Sequence, residues 1–156
     1  MENKNRKGFT IIELLVVVAI ITVLAAIVMT NVTSYINRGK NAAVRANMST
    51  LLTNSAVWFD LPSLGSGTYD GFCASSTATN AMTEANDASG GVSICVEHTD
   101  NSKFCACSPM KTTSAEPANS FFCVDNTGNK KTYTGQAAGY CTTACPNAGG
   151  GEATCL

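Results

Sequence analysis

Apolar residues run almost unbroken over residues 9–29, and Glu13 is the one charge among them. About 20 such residues suffice to cross ~30 Å of hydrocarbon as a helix. The pattern then narrows to a stripe: Ile36, Val44, Met48, Leu51, Leu52, Ser55 and Phe59 fall near one helical face, and Arg38, Lys40, Arg45 and Asn47 fall largely elsewhere. Together these predict one helix over residues 9–59, about 75 Å long at 1.5 Å per residue. Its first half has no polar face to show to water, and its second half is expected to pack on a head domain. Asp60, Leu61, Pro62 and the Ser/Gly cluster after them stop it. Residues 30–34 are its weak spot, because Thr30, Asn31, Val32, Thr33 and Ser34 are β-branched or favour caps over helix interiors. Any stretching of the helix within an assembly is expected there.

Downstream the period shortens. Residues 77–86 read as a short helix, followed by strand-like runs over residues 92–97, 103–107, 121–124 and 131–134. Asp125, Asn126, Thr127 and Gly128 read as the hairpin turn between the last two strands. The expected class is α+β, a long N-terminal helix with a small antiparallel sheet packed on its distal half. The tail from Gly135 is rich in Gly, Ala and Thr and needs covalent staples to hold a shape.

Composition sharpens this picture in two places. The eight cysteines, Cys73, Cys95, Cys105, Cys107, Cys123, Cys141, Cys145 and Cys155, all lie beyond residue 70. An even number confined to the head fits disulfides formed after export to an oxidising compartment. Zinc would want CxxC knuckles or added histidines, whereas the spacings here are CxC and CxxxC, with His98 the sole histidine. The net charge of −1 gives nucleic acid no electrostatic case as a main partner.

No catalytic constellation, cofactor motif or metal set stands out, so no enzyme activity is expected. His98, ending a strand beside Glu97 and Asp100, reads as a surface residue, and Asp125 as a turn former rather than a calcium ligand. Trp58 and Phe59 read as packing against the head. Lys130 and Lys131 read as a solvated turn. Asn31 and Asn47 begin glycosylation sequons, but both sit on the long helix.

The segment MENKNRKG before the apolar run is short and basic. An ordinary secretory signal would end its apolar region at a small-residue cleavage site and discard it. A plain signal anchor would keep the basic flank in the cytoplasm. Neither accounts for Glu13, since an ionisable group inside a span is costly and usually has a partner. A cut between Gly8 and Phe9 supplies one: a new α-ammonium four residues before Glu13. Such a cut removes three positive charges and one negative, leaving the remainder at about −3.

The basic leader, Gly8, Phe9, Thr10 and Glu13 before a long apolar run resemble the N-terminal signal of type IV pilins and type II secretion pseudopilins, most closely in GFTIIELLVVVAII. The resemblance is weaker through residue 134, where NRGKNAAVRANMSTLLTNSAVWFD, GTYDGFC and FFCVDNTGNKKTY are similar to pilin segments. The family implies a prepilin peptidase that cuts after Gly8 and N-methylates Phe9. It implies a docking role for Glu13 with Phe9, an inner-membrane assembly platform, and a helical homopolymer of this chain. It also implies a pilin fold divided as leader 1–8, membrane and filament-core helix 9–35, amphipathic helix half 36–60, head 61–134 and stapled tail 135–156. Many members have proline where this chain has Thr30. Among disulfides, Cys73 with Cys95 and either Cys105 or Cys107 with Cys123 are expected, with Cys141, Cys145 and Cys155 taking up the rest.

Three roles follow. One is the major subunit of a pilus, single-pass in the inner membrane before assembly and extracellular after it, serving adhesion, twitching or DNA uptake. Another is a pseudopilin of a secretion pseudopilus. The third, an exported adhesin or enzyme with a borrowed anchor, needs a site not seen in the sequence.

Overall fold

The computed structural model describes residues 8–137, 139–145 and 155. The expectations for the leader and for most of the tail after residue 145 lie outside the described residues. By packing, the chain divides into a unit ending at Tyr35 and a second unit, Ile36–Leu156.

Helix α1 runs Ile11–Asp60 and crosses that division. Its backbone stays helical through residues 30–34. There Asn31 Nδ2 donates to the Ile27 carbonyl at 3.4 Å and Thr33 Oγ1 to the Met29 carbonyl at 3.3 Å, so these side chains bond back along the helix. In the first unit every described side chain but Ser34 is exposed. This segment is apolar all round rather than striped, and it holds the single stretch among the described residues long and apolar enough to cross a membrane.

In the second unit, residues 36–60 of α1 contribute Val44, Met48 and Leu51 to the core, each fully buried. Leu52, Trp58 and Phe59 pack at its margin, Trp58 edge-on to Phe72 and Phe59 tilted against Tyr69. Ile36, placed by periodicity on the same face, is instead 52% exposed. The stripe begins one turn later, where Asn41 goes under cover.

Helix α2 spans Ser76–Ser89. Ser75 caps its start by accepting from the Ala78 N–H at 3.2 Å. Gly90, in the left-handed region at φ 69°, ends it. The sheet follows as β1 (Ile94–Glu97), β2 (Phe104–Pro109), β3 (Phe121–Asp125) and β4 (Lys130–Tyr133), antiparallel throughout and in chain order. A five-residue helix, α3, covers Tyr140–Ala144.

Strands β2 and β3 are buried on both faces, which explains their near-continuous apolar sequence. One face, with Phe104, Ala106, Phe122 and Val124, joins the core of α1 and α2. The opposite face, with Cys105, Cys107, Phe121 and Cys123, lies under Tyr140, Cys141, Cys145 and Cys155. The tail is therefore the sheet's second cover.

Candidate assembly and stapling sites

Thr10 and Glu13 close a reciprocal cap on the first turn of α1. Thr10 Oγ1 accepts from the Glu13 N–H at 3.2 Å, while Glu13 Oε2 accepts from the Thr10 N–H at 2.9 Å and from its hydroxyl at 2.8 Å. This is a capping box, a Ser/Thr followed three residues on by Glu. The signal for it in the sequence is the spacing of Thr10 and Glu13 ahead of the apolar run. The box engages one carboxylate oxygen, Oε2.

Around it the surface is bare and apolar. Phe9 is 80% exposed and Ile11 83%. Covering a large aliphatic or aromatic side chain is worth about 1.5–3 kcal/mol each, so this segment has a strong drive toward lipid or toward other helices. A Cβ added at Gly8 would meet no atom of the described residues within 4 Å, so packing among them does not require glycine there.

The head is tied down by polar groups, among them Arg45, which the periodicity sets off the apolar face. Asn37, Asn41 and Arg45 stand four residues apart, on one helical face. Asn37 Nδ2 donates to the Thr112 carbonyl at 3.0 Å. Asn41, fully buried, bonds Lys111 in both senses, donating to its carbonyl at 2.8 Å and accepting from its N–H at 2.7 Å. Arg45 pairs with Glu116 at 2.5 Å. Glu116 also accepts from the Thr113 hydroxyl, and that bond and then Arg45 hold its carboxyl below the usual range against the opposing pull of burial. The connection from β2 to β3 is thus clasped to α1. No strand or helix pattern marks that loop, so periodicity alone does not reveal the clasp.

Glu97, at the end of β1, accepts from the Gly71 N–H at 3.1 Å and the Cys73 N–H at 2.6 Å. This seats the loop after α1 beside the bond between Cys73 and Cys95, whose Cα atoms are 5.6 Å apart. That pairing is as expected.

The second expectation is corrected. Cys105 bonds Cys145 and Cys107 bonds Cys141, with Cα separations of 5.4 and 5.2 Å, and neither takes Cys123. The reason is a match of two spacings. Residues i and i+2 on a strand lie about 7 Å apart on one face, and i and i+4 on a helix lie about 6 Å apart along one face. The CxC of β2 and the CxxxC of α3 can therefore bridge twice at once. Cys123 sits directly across from Cys107 in the β2–β3 register, but it remains a buried thiol, as does Cys155.

His98 is half-buried and its Nδ1 lies 2.6 Å from Asp100 Oδ1. Asp100 also accepts from the Ser102 hydroxyl and N–H, and these bonds, the hydroxyl's first, hold its carboxyl well below the usual range. The arrangement closes a turn. Among the described residues no group of three metal-ligating side chains comes together. Asp125 is fully buried, and both its oxygens are engaged. Oδ1 accepts from Thr127 and Asn129, and Oδ2 from Asn129 Nδ2 at 3.0 Å and the Cys155 N–H at 2.8 Å.

Comparison with known proteins bears on the N-terminal segment. Residues 3–29 match the family described as the prokaryotic N-terminal methylation motif. The type IV major pilin protein PilA of Myxococcus xanthus (strain DK1622) is 40% identical over 57 residues, 36% of this chain and 26% of that protein. The chain thus spans about a quarter of the length of that relative. No solved structure matches the chain. An N-terminal methylation motif over residues 3–29 and the likeness over 57 residues agree with each other, and they make the N-terminal segment of this chain similar to that of type IV pilins.

Proposed function

We propose that this chain is the structural subunit of a type IV pilus, drawn from an inner-membrane pool into a helical homopolymer. The observation that carries the reading is the bare, all-round apolar half of α1 beginning at a capped carboxylate. The same surface suits lipid first and sister helices afterwards. The role is structural, not catalytic.

In this reading a prepilin peptidase cuts after Gly8 and N-methylates Phe9, and an assembly platform extracts the subunit. The cut places an ammonium next to Thr10. While the subunit waits in the membrane, the capping box gives Glu13 two neutral donors that travel with it. On docking, the free side of the carboxylate meets the ammonium of a neighbouring subunit, a charge-assisted contact stronger than a neutral one that fixes axial register. Residues 30–34 are where the helix would extend to fit the fibre. The densely stapled head suits exposure outside the cell.

The test is Glu13→Ala in cells deleted for the native chain. The variant should be processed and inserted in the membrane, with surface filaments reduced at least tenfold; wild-type piliation would refute the docking role. Absence of the wild-type chain from long filaments, together with a protein-secretion defect on deletion, would replace the pilus with a secretion pseudopilus.

A further inference from the structure

Six of the eight cysteines are bonded, and the two that are not lie in one buried cluster. Cys123 is fully buried and Cys155 is 8% exposed, both on the sheet face already stapled by α3. Cys155 shares one buried cluster with Cys123, and its Sγ is 3.8 Å from that of Cys105 on the neighbouring strand. The Cys155 backbone is held independently of the sulfurs, by its N–H on Asp125 Oδ2 at 2.8 Å in a buried setting. Asp125 lies two residues from Cys123 on β3.

We propose that Cys123 and Cys155 form a fourth disulfide, and that Asp125 is the positioning residue that brings them together. Burial of the Cys155 thiol next to Cys123 and Asp125 disfavours its thiolate, the form that reacts, in the docked arrangement. Closure therefore begins before Cys155 is docked. The Cys155 thiolate attacks the disulfide of an exported thiol oxidoreductase, forming a mixed disulfide and releasing one thiolate of the carrier. Docking of the Cys155 N–H on Asp125 then presents that sulfur to Cys123. The Cys123 thiolate displaces the carrier's second sulfur, and the S–S bond between Cys123 and Cys155 forms. Two protons pass from the chain's thiols to the carrier, which leaves as a dithiol. Two thiolates alone make a poor metal site, and the Asp125 oxygens are already taken.

The inference rests on export only for the identity of the oxidant, so its test supplies one. Full-length chain in detergent is oxidised with glutathione disulfide, sampled over time, denatured, alkylated with iodoacetamide and peptide-mapped. The number of alkylated cysteines should fall from two to none, with a cross-linked peptide joining Cys123 to Cys155. Persistent alkylation of both while the other three bonds are intact would overturn the proposal, as would a bond from Cys155 to Cys105. Asp125→Asn should slow the last closure severalfold with the other three bonds formed at the wild-type rate; unchanged closure would remove the positioning role. Failure here leaves the pilus reading untouched, since filaments are scored separately.

Discussion

The two halves of α1 share one hydrogen-bond ladder and differ in what their side chains touch. Residues 11–29 present aliphatic groups in every direction, all of them exposed. Residues 41–55 divide into a buried line of Asn41, Val44, Met48, Leu51 and Ser55, with polar and small residues on the remainder. The second half is held by a core made within the same chain, so its sequence is constrained position by position. The first half is exposed among the described residues, and its constraint is on character rather than on individual shapes. A helix that is apolar all round is stable only where its surroundings are apolar too. The difference separates folding, which the head carries, from the assembly proposed for the first half.

The sharpest way to break this contrast is a pair of truncations. Phe104→Ala, deep in the head core, should lower head stability by about 3–5 kcal/mol. Leu24→Ala on the bare half should leave unfolding of the detergent-solubilised monomer within about 0.5 kcal/mol of wild type. Denaturant titration followed by near-ultraviolet circular dichroism distinguishes them. Equal losses would show that the bare half is part of the folded core.

A smaller loss tests the polar clasp. Asn41→Ala leaves the Lys111 N–H and carbonyl without their partner, at a cost of about 1–3 kcal/mol. Asn31→Ala, an exposed asparagine on the same helix, should cost little by the same measurement.

Acid should produce the mildest change. At Asp125 burial pushes the carboxyl up, but the bonds from Thr127, Asn129 and the Cys155 N–H outweigh it, so its folded value is depressed, as is that of Glu116. A depressed carboxylate stabilises the fold fully above its unfolded pKa of about 4 and loses that contribution as pH falls through the folded value. The melting temperature of the head should thus be flat from about pH 7 to 5 and decline below about pH 4. Glu116→Gln should make the decline shallower.

Much of this was legible from the pattern of residues. The extent of α1, the four strands and the pairing of Cys73 with Cys95 follow from periodicity, turn residues and the family likeness. α1 begins at Ile11 rather than Phe9 because Thr10 caps it, and α2 extends through Ser89 to Gly90, past the expected end at residue 86. What escaped was contact between distant segments. Arg45 faces Glu116 only because a loop of no regular structure folds over α1. The double bridge from β2 to α3 required recognising a helix of five residues in a Gly- and Thr-rich tail. There local propensity is weak and the bonds to β2 supply the order. The Thr10–Glu13 box is local, and its three-residue spacing is carried by the sequence itself.

In the proposed function a cut after Gly8 is followed by assembly through the bare half of α1. The direct measurement is the N-terminal mass of this chain in filaments sheared from the cell surface. The expected subunit starts at N-methylated Phe9. A filament subunit still starting at Met1, or cut at a site inside the apolar segment, would contradict it.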